Sequence, residues 1–297
     1  MLGAHVSSQG GVAMAPGRGG ALRATAIQLF TKTPNQWRER DLDAEQIARF
    51  RTEVARHRLE AALSHDSYLI NLASPDPVLR ARSMDSFRRE LERSRALGLR
   101  AVVSHPGNYI ETRDQGLERN ARAYAACLEA VPGDLEVWIE GTAGSGTALG
   151  ARFEELRDLR NAIPDPIRTR VAFCLDTAHL HAVGYDLAQV ERVWEEFDRV
   201  IGFDLLKCLN LNDSRAAAGS RVDRHEWIGE GRIGPEPFRR IMRDPDFARV
   251  VKIIETPKRD DPLRHDRRML RRLRAYARRL DVTTSSSRGN TRAVAGV

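Results

Sequence analysis

The sequence predicts an α/β fold, a (β/α)8 TIM barrel with its active site at the C-terminal ends of the strands. Three observations lead there. Eight short apolar runs, starting mostly about 35 to 40 residues apart, alternate with stretches of helical spacing. That alternation is the pattern of a parallel sheet covered by helices, and eight such units close the sheet on itself. The length, 297 residues, suits one barrel of about 250 residues with extensions.

The expected strands are residues 2–6, 26–30, 62–64, 101–104, 135–139, 171–175, 206–211 and 250–254. The third is the least apolar. Helical spacing marks residues 43–59, 78–97, 115–130, 152–162 and 187–200. Pro77 opens the second of these after the turn-like residues 74–76, and Gly98 closes it. Pro235 and Pro237 open the helix before the last strand. Residues 262–280 set Leu263, Leu270, Leu273, Ala277 and Leu280 among arginines, an amphipathic closing helix. The expected domain is therefore residues 1–281. Residues 282–297, rich in Ser, Thr and Gly without periodicity, read as a disordered tail.

A formal net charge of +7 and a pI near 9.7 favour an anionic partner such as nucleic acid. Only Lys32, Lys207, Lys252 and Lys258 among the 48 basic residues are lysines, so base composition of the genome contributes to the arginine excess. No apolar run approaches the roughly 20 residues of a membrane span. There is no signal-peptide pattern, and Cys127, Cys174 and Cys208 lack metal spacing, so buried free thiols in a reducing cytoplasm are expected.

The chemistry lies in what the strands deliver to their C-terminal ends. The stretch FCLDTAHLHAVGYD ends an apolar run in Asp176, with His179 three residues on. Reading the strand ends in order gives His5, Gln28, His65, His105, Glu140, Asp176, then Asn210, Asn212 and Asp213, and last Glu255. His179, Asp223 and His225 come from the loops just after. So many carboxylates on one rim require cations, and the imidazoles among them point to zinc. The loops at 142–146 and 219–225 are small and polar, and the second is basic, suited to approaching a phosphodiester. The glycines at 229–234 lack the Lys-Ser/Thr ending of a P-loop, which excludes a nucleoside triphosphate site.

The motifs GAHVSSQGG (3–11), IQLFTKTPNQWR (27–38), HDSYLINLASP (65–75), SHPGNY (104–109), IEGTAGSGTALG (139–150), LNLNDSRAAAGSRVDRHEWIGEGRIG (209–234) and IIETP (253–257), with the FCLD stretch, resemble the endonuclease IV family of zinc-dependent apurinic/apyrimidinic endonucleases. They run in order over almost the whole chain. The resemblance implies a monomeric enzyme of base excision repair, in the bacterial cytoplasm or nucleoid, acting on double-stranded DNA with abasic sites. It implies hydrolysis of the phosphodiester 5′ to the abasic site, leaving a 3′-hydroxyl and a 5′-deoxyribose phosphate. It also implies three zinc ions: one on His65, His105 and Glu140; a second on Glu140, Asp176 and Glu255; a third on His179, Asp223 and His225. Glu140, bridging two ions, is the expected catalytic residue. Tyr68 and Leu69 would press into the minor groove at the lesion, and Asn35, Arg221 and Arg224 would contact DNA.

The chain departs from the family pattern at one expected ligand. Asn210 stands where the family has a His on the second zinc, so that site should bind zinc weakly or shift toward manganese. His181 is weighed as a substitute ligand, with a rim or packing role the favoured expectation. Gly141 replaces an Asn, Ala178 a Cys, and Asn35 an Arg that enters the DNA stack. The alternative reading is a weakened relative that binds lesions without cutting. A sugar isomerase on the same barrel is a third, and the 219–225 loop and Tyr68–Leu69 disfavour it.

Overall fold

The computed structural model of the protein describes residues 1–38 and 41–278. In chain order the elements are β1 (Leu2–His5), α1 (Ala15–Ala21), β2 (Ala26–Leu29), α2 (Ala44–Arg56), β3 (Ala61–His65), α3 (Pro77–Leu97), β4 (Ala101–Ser104), α4 (Arg113–Ala130) and β5 (Glu136–Glu140). There follow α5 (Phe153–Asn161), β6 (Val171–Asp176), α6 (Thr177–Val183), α7 (Val190–Val200), β7 (Leu206–Asn210), β8 (Asp213–Ser214), β9 (His225–Glu226), α8 (Pro235–Arg243), β10 (Val251–Ile254) and α9 (Pro262–Ala277). The order β1-β10-β7-β6-β5-β4-β3-β2 closes a barrel, every neighbouring pair parallel.

The TIM barrel read from the sequence is thus present, and each expected strand lies where the apolar runs put it. The third strand, marginal by composition, is longer than expected and buried throughout, so His65 is its last residue. Two helices were not foreseen. Helix α1 carries three glycines and a proline, which mask its helical spacing. Helix α6 holds only seven residues, too few to show a period, but Asp176 caps its start and Gly184 (φ 106°) ends it. The antiparallel β8–β9 ribbon, with Ser214 opposite His225, was likewise hidden in what read as loop. The expected tail (282–297) and the end of the closing helix at Leu280 lie outside the described residues. The three cysteines are free and buried. No helix among the described residues is long and apolar enough to cross a membrane.

Two cores flank the strands. The larger lies between strands and helices. The smaller fills the barrel itself, mostly with small side chains (Ala26, Ala61, Ala101, Ala172, Cys174, Cys208) around Leu63, Ile253 and Trp138. Trp138 is fully buried and donates its indole N–H to Glu136 at 2.7 Å. It sits two residues before Glu140 on β5, hence on the same face of the strand, and forms the floor beneath it. Trp138→Ala leaves a cavity that this ring of small residues cannot close. The expected loss is about 3–5 kcal/mol of stability, read as a lowered midpoint in denaturant unfolding with an unchanged slope.

Candidate metal centre

The strand ends converge as the parallel barrel requires. His5, His65, Glu140, Asp176 and Asn210 are the last residues of β1, β3, β5, β6 and β7. His105 and Glu255 immediately follow β4 and β10. His179 lies on α6 and His225 on β9, a correction to the loop placement expected for both. Asp176 is the reason α6 exists at this point: its Oδ1 accepts the backbone N–H of Ala178 at 2.6 Å and of His179 at 3.3 Å. One carboxylate thus caps the helix that carries the neighbouring imidazole.

Three clusters result, each with ligand atoms within 4.8 Å of one another: His65, His105 and Glu140; Glu140, Asp176 and Glu255; and Asp176, His179 and His225. Glu140 Oε2 lies 3.1 Å from His65 Nε2 and 2.9 Å from His105 Nε2. Asp223 lies 3.4 Å from His179 Nε2 and 3.1 Å from His225 Nε2. His225 Nε2 is also 3.6 Å from Asp176 Oδ2. Asp176 therefore belongs to two clusters, and Asp223 closes the third from its outer side.

The rings are oriented by backbone. His65 Nδ1 faces the Asp66 carbonyl at 2.9 Å, His179 Nδ1 that of Gly141 at 2.8 Å, and His225 Nδ1 that of Glu255 at 3.3 Å. A carbonyl only accepts, so in each ring Nδ1 carries the hydrogen and Nε2 presents its lone pair. Those lone pairs face carboxylate oxygens, an arrangement that needs a proton or a cation between them. His225 Nε2 is buried and without a hydrogen-bond partner among the described residues. Imidazole nitrogens with carboxylate oxygens in this arrangement fit zinc.

In the absence of a cation, protons take that place. Burial opposes charging His65, but the Glu140 and Asp66 carboxylates outweigh it and raise its pKa to about 10. Burial likewise opposes His225, and Asp176 and Asp223 lift it to about 9. Burial works against ionised Glu140, yet His105 and His65 hold it well below the usual carboxylate range. His5 goes the other way: burial lowers its pKa despite Glu255, so it stays neutral.

Other expected residues fall as follows. Asn210 is fully buried and turns its amide nitrogen toward Glu140, 2.7 Å from Oε1. His181 belongs to none of the clusters; its Nε2 faces the Ala216 carbonyl at 3.2 Å, so it does not stand in for a missing ligand. Tyr68 is 65% exposed at the mouth, packed edge-on against Phe30. Leu69 is half-buried beside it, and Asn35, Arg221 and Arg224 are exposed. Arg221 has a left-handed backbone (φ 56°) and is pinned by its N–H to the Ala182 carbonyl. The glycines at 229–234 cradle no external anion: the N–H groups of Gly229, Gly231 and Ile233 all donate to buried Asp213. Lys258, which the sequence reading passed over, lines the same cleft and pairs with Asp266 at 2.6 Å. Its only signal was its place three residues past Glu255.

The cleft holds about 340 Å³ and is lined by His5, Phe30, His65, Tyr68, His105, His179, Asp223, His225, Glu255 and Lys258. A larger one of about 830 Å³ lies to the side, between the loops after β1 and β2, and contains none of the clustered residues. The chemistry is in the smaller.

Comparison with known proteins agrees with this arrangement. The family described as xylose isomerase-like TIM barrel, the AP endonuclease 2 family, matches residues 21–273. A probable endonuclease 4 of Geobacter sulfurreducens is 45% identical over 267 residues, covering 88% of this chain and 89% of that one. A probable endonuclease 4 of Chloroflexus aggregans is 43% identical over 282 residues, covering 93% and 98%. The crystal structure of endonuclease IV from Thermus thermophilus superposes with a TM-score of 0.81 at 34% identity, over 93% of this chain and 98% of that one. A putative xylose isomerase from Rhodospirillum rubrum, 11% identical with a TM-score of 0.71, shares the fold.

The raised histidines set a pH dependence for the metal-stripped protein. Their pKa values in the folded chain, about 10 for His65 and about 9 for His225, exceed the unfolded value of 6.5. Their stabilising contribution is complete below pH 6.5 and is lost as pH rises through 9 and 10. Urea unfolding of metal-free protein should show a midpoint that falls between pH 7 and pH 10. Zinc, taking the place of these protons, should flatten the fall. A metal-free midpoint constant over that range would refute the assignment.

Proposed function

The chain belongs to the endonuclease IV proteins of the AP endonuclease 2 family, and on that premise we propose that it hydrolyses the phosphodiester 5′ to an abasic site in double-stranded DNA. The products are a 3′-hydroxyl and a 5′-deoxyribose phosphate, and the enzyme acts as a monomer in base excision repair. The observation that carries this reading is the joining of three metal-competent clusters through shared Glu140 and Asp176, in one open cleft with an exposed aromatic at its mouth.

Zinc would be held by His65, His105 and Glu140 on one side and by His179, His225 and Asp223 on the other. The carboxylates Glu140, Asp176 and Glu255 would hold a third, weaker cation between them. Bound there, such ions supply Lewis acidity toward phosphate oxygens and lower the pKa of water. The chain's own residues do the rest. Glu140 spans two clusters and orients both. The carbonyls of Asp66, Gly141 and Glu255 fix the imidazole tautomers. Tyr68 and Leu69 form an apolar wedge against the unstacked lesion. Arg221 and Arg224 neutralise flanking phosphates, and Asn35 reaches the same strand.

A second reading, a lesion-binding relative with little activity, is favoured only by Asn210. The two separate in one assay: nicking of a duplex carrying a single abasic analogue by metal-stripped protein, with zinc or manganese added back. The expected outcome is a cut on the 5′ side that leaves a polymerase-extendable end. Glu140→Gln should reduce it by about 10²-fold or more. Tyr68→Ala should weaken binding to the abasic duplex by about 10- to 100-fold. Binding without nicking in either metal, restored by Asn210→His, would establish the second reading.

A further inference from the structure

Each of the three carboxylates in the middle cluster accepts a hydrogen bond from a different buried side-chain amide. Asn210 Nδ2 donates to Glu140 Oε1 at 2.7 Å, Asn212 Nδ2 to Asp176 Oδ2 at 2.6 Å, and Gln28 Nε2 to Glu255 Oε1 at 2.6 Å. All three amides are 0% exposed. They arrive from three places: the end of β7, the turn after it, and β2. An ionised carboxylate only accepts, so each amide must turn its nitrogen inward. Asn212 Oδ1 in turn accepts the Glu255 N–H at 2.8 Å, and Asn210 Oδ1 faces the Cys208 thiol at 3.9 Å.

Two consequences follow from this ring. Asn210 offers the cluster an N–H and holds its oxygen away, so it is no ligand as it stands. The cluster Glu140, Asp176 and Glu255 then contains carboxylate oxygen and no imidazole, whereas each cluster beside it contains two histidines. Oxygen donors alone suit hard cations, and the preference for zinc that imidazole confers is missing. Each amide also occupies one lone pair of a carboxylate, which makes the cluster tolerable without a tightly held ion.

We propose that Gln28, Asn210 and Asn212 form an amide ring that makes the middle cluster an exchangeable site for a hard divalent cation, manganese or magnesium, between two zinc sites. The proposal rests on the metal assignment given under the proposed function, but not on the reaction. Gln28 and Asn212 are positioning residues: they aim Glu255 and Asp176.

The test counts metals on the full-length chain. Zinc-loaded protein is dialysed against excess manganese, and bound metal is measured by elemental mass spectrometry and manganese by electron paramagnetic resonance. Two zinc and one manganese per chain are expected, with added magnesium bleaching the manganese signal. Asn210→His should keep three zinc and lose that signal. Asn210→Asp, which preserves an oxygen-only set and adds charge, should bind manganese about 10-fold more tightly. Three zinc retained by the natural chain under this dialysis, or manganese displacing zinc from all sites alike, would overturn the proposal. Nicking is scored separately: a two-to-one count without nicking defeats the endonuclease reading alone, and three retained zinc with nicking defeats this one alone.

Discussion

Glu140 Oε2 is set 3.1 Å and 2.9 Å from two imidazole nitrogens, and the rest of the molecule exists to keep that contact in place. The three residues come from the ends of three consecutive strands, β3, β4 and β5. Only a closed parallel barrel brings so many strand ends to one rim. Below Glu140 the filled interior with Trp138 prevents the rim from sagging. Above it, backbone carbonyls choose the ring tautomers. The facing lone pairs are tolerable only with something positive between them, so the architecture encodes a demand for cations before any cation arrives.

Much of this was legible in the sequence because a parallel barrel strand is apolar on both faces and ends abruptly. Leu175-Asp176 and Ile139-Glu140 announce such ends in plain composition. The barrel closure, the eight strands and the residues that converge on the rim could all be read there. What could not be read depends on spacing too short to carry a period or on contacts far apart in the chain. Helix α6 has seven residues, and its only signals are the capping Asp176 and the closing Gly184. The 229–234 glycines, which lack a P-loop ending, turn their N–H groups to Asp213, sixteen to twenty residues earlier, a partner their spacing does not announce. Gln28 and Asn212 stood at strand ends with no role, because the carboxylates they hold are remote in sequence.

The departures from the family pattern also have local accounts. Gly141 leaves its carbonyl on His179 Nδ1, and a Cβ there would approach Leu175 at 3.0 Å. The residue that replaces a larger one therefore sits where the β5–β6 packing is already tight. Asn210 keeps the shape of a polar strand end, but exchanges a ring nitrogen for an N–H donor. The barrel accommodates Asn210, which is fully buried with its amide nitrogen satisfied by Glu140.

Helix α6 has a bearing on how this rim assembles. Seven residues do not hold a helix in water, so α6 depends on the Asp176 cap at one end. At its other end the carbonyls of His181 and Ala182 receive the N–H groups of Gly219 and Arg221, which carry the loop leading to Asp223 and His225. Cap, helix, loop and third cluster form one chain of dependence, and Asp176 stands at its head. Loosening that single carboxylate would release the whole flank as one cooperative unit while the barrel beneath stayed folded.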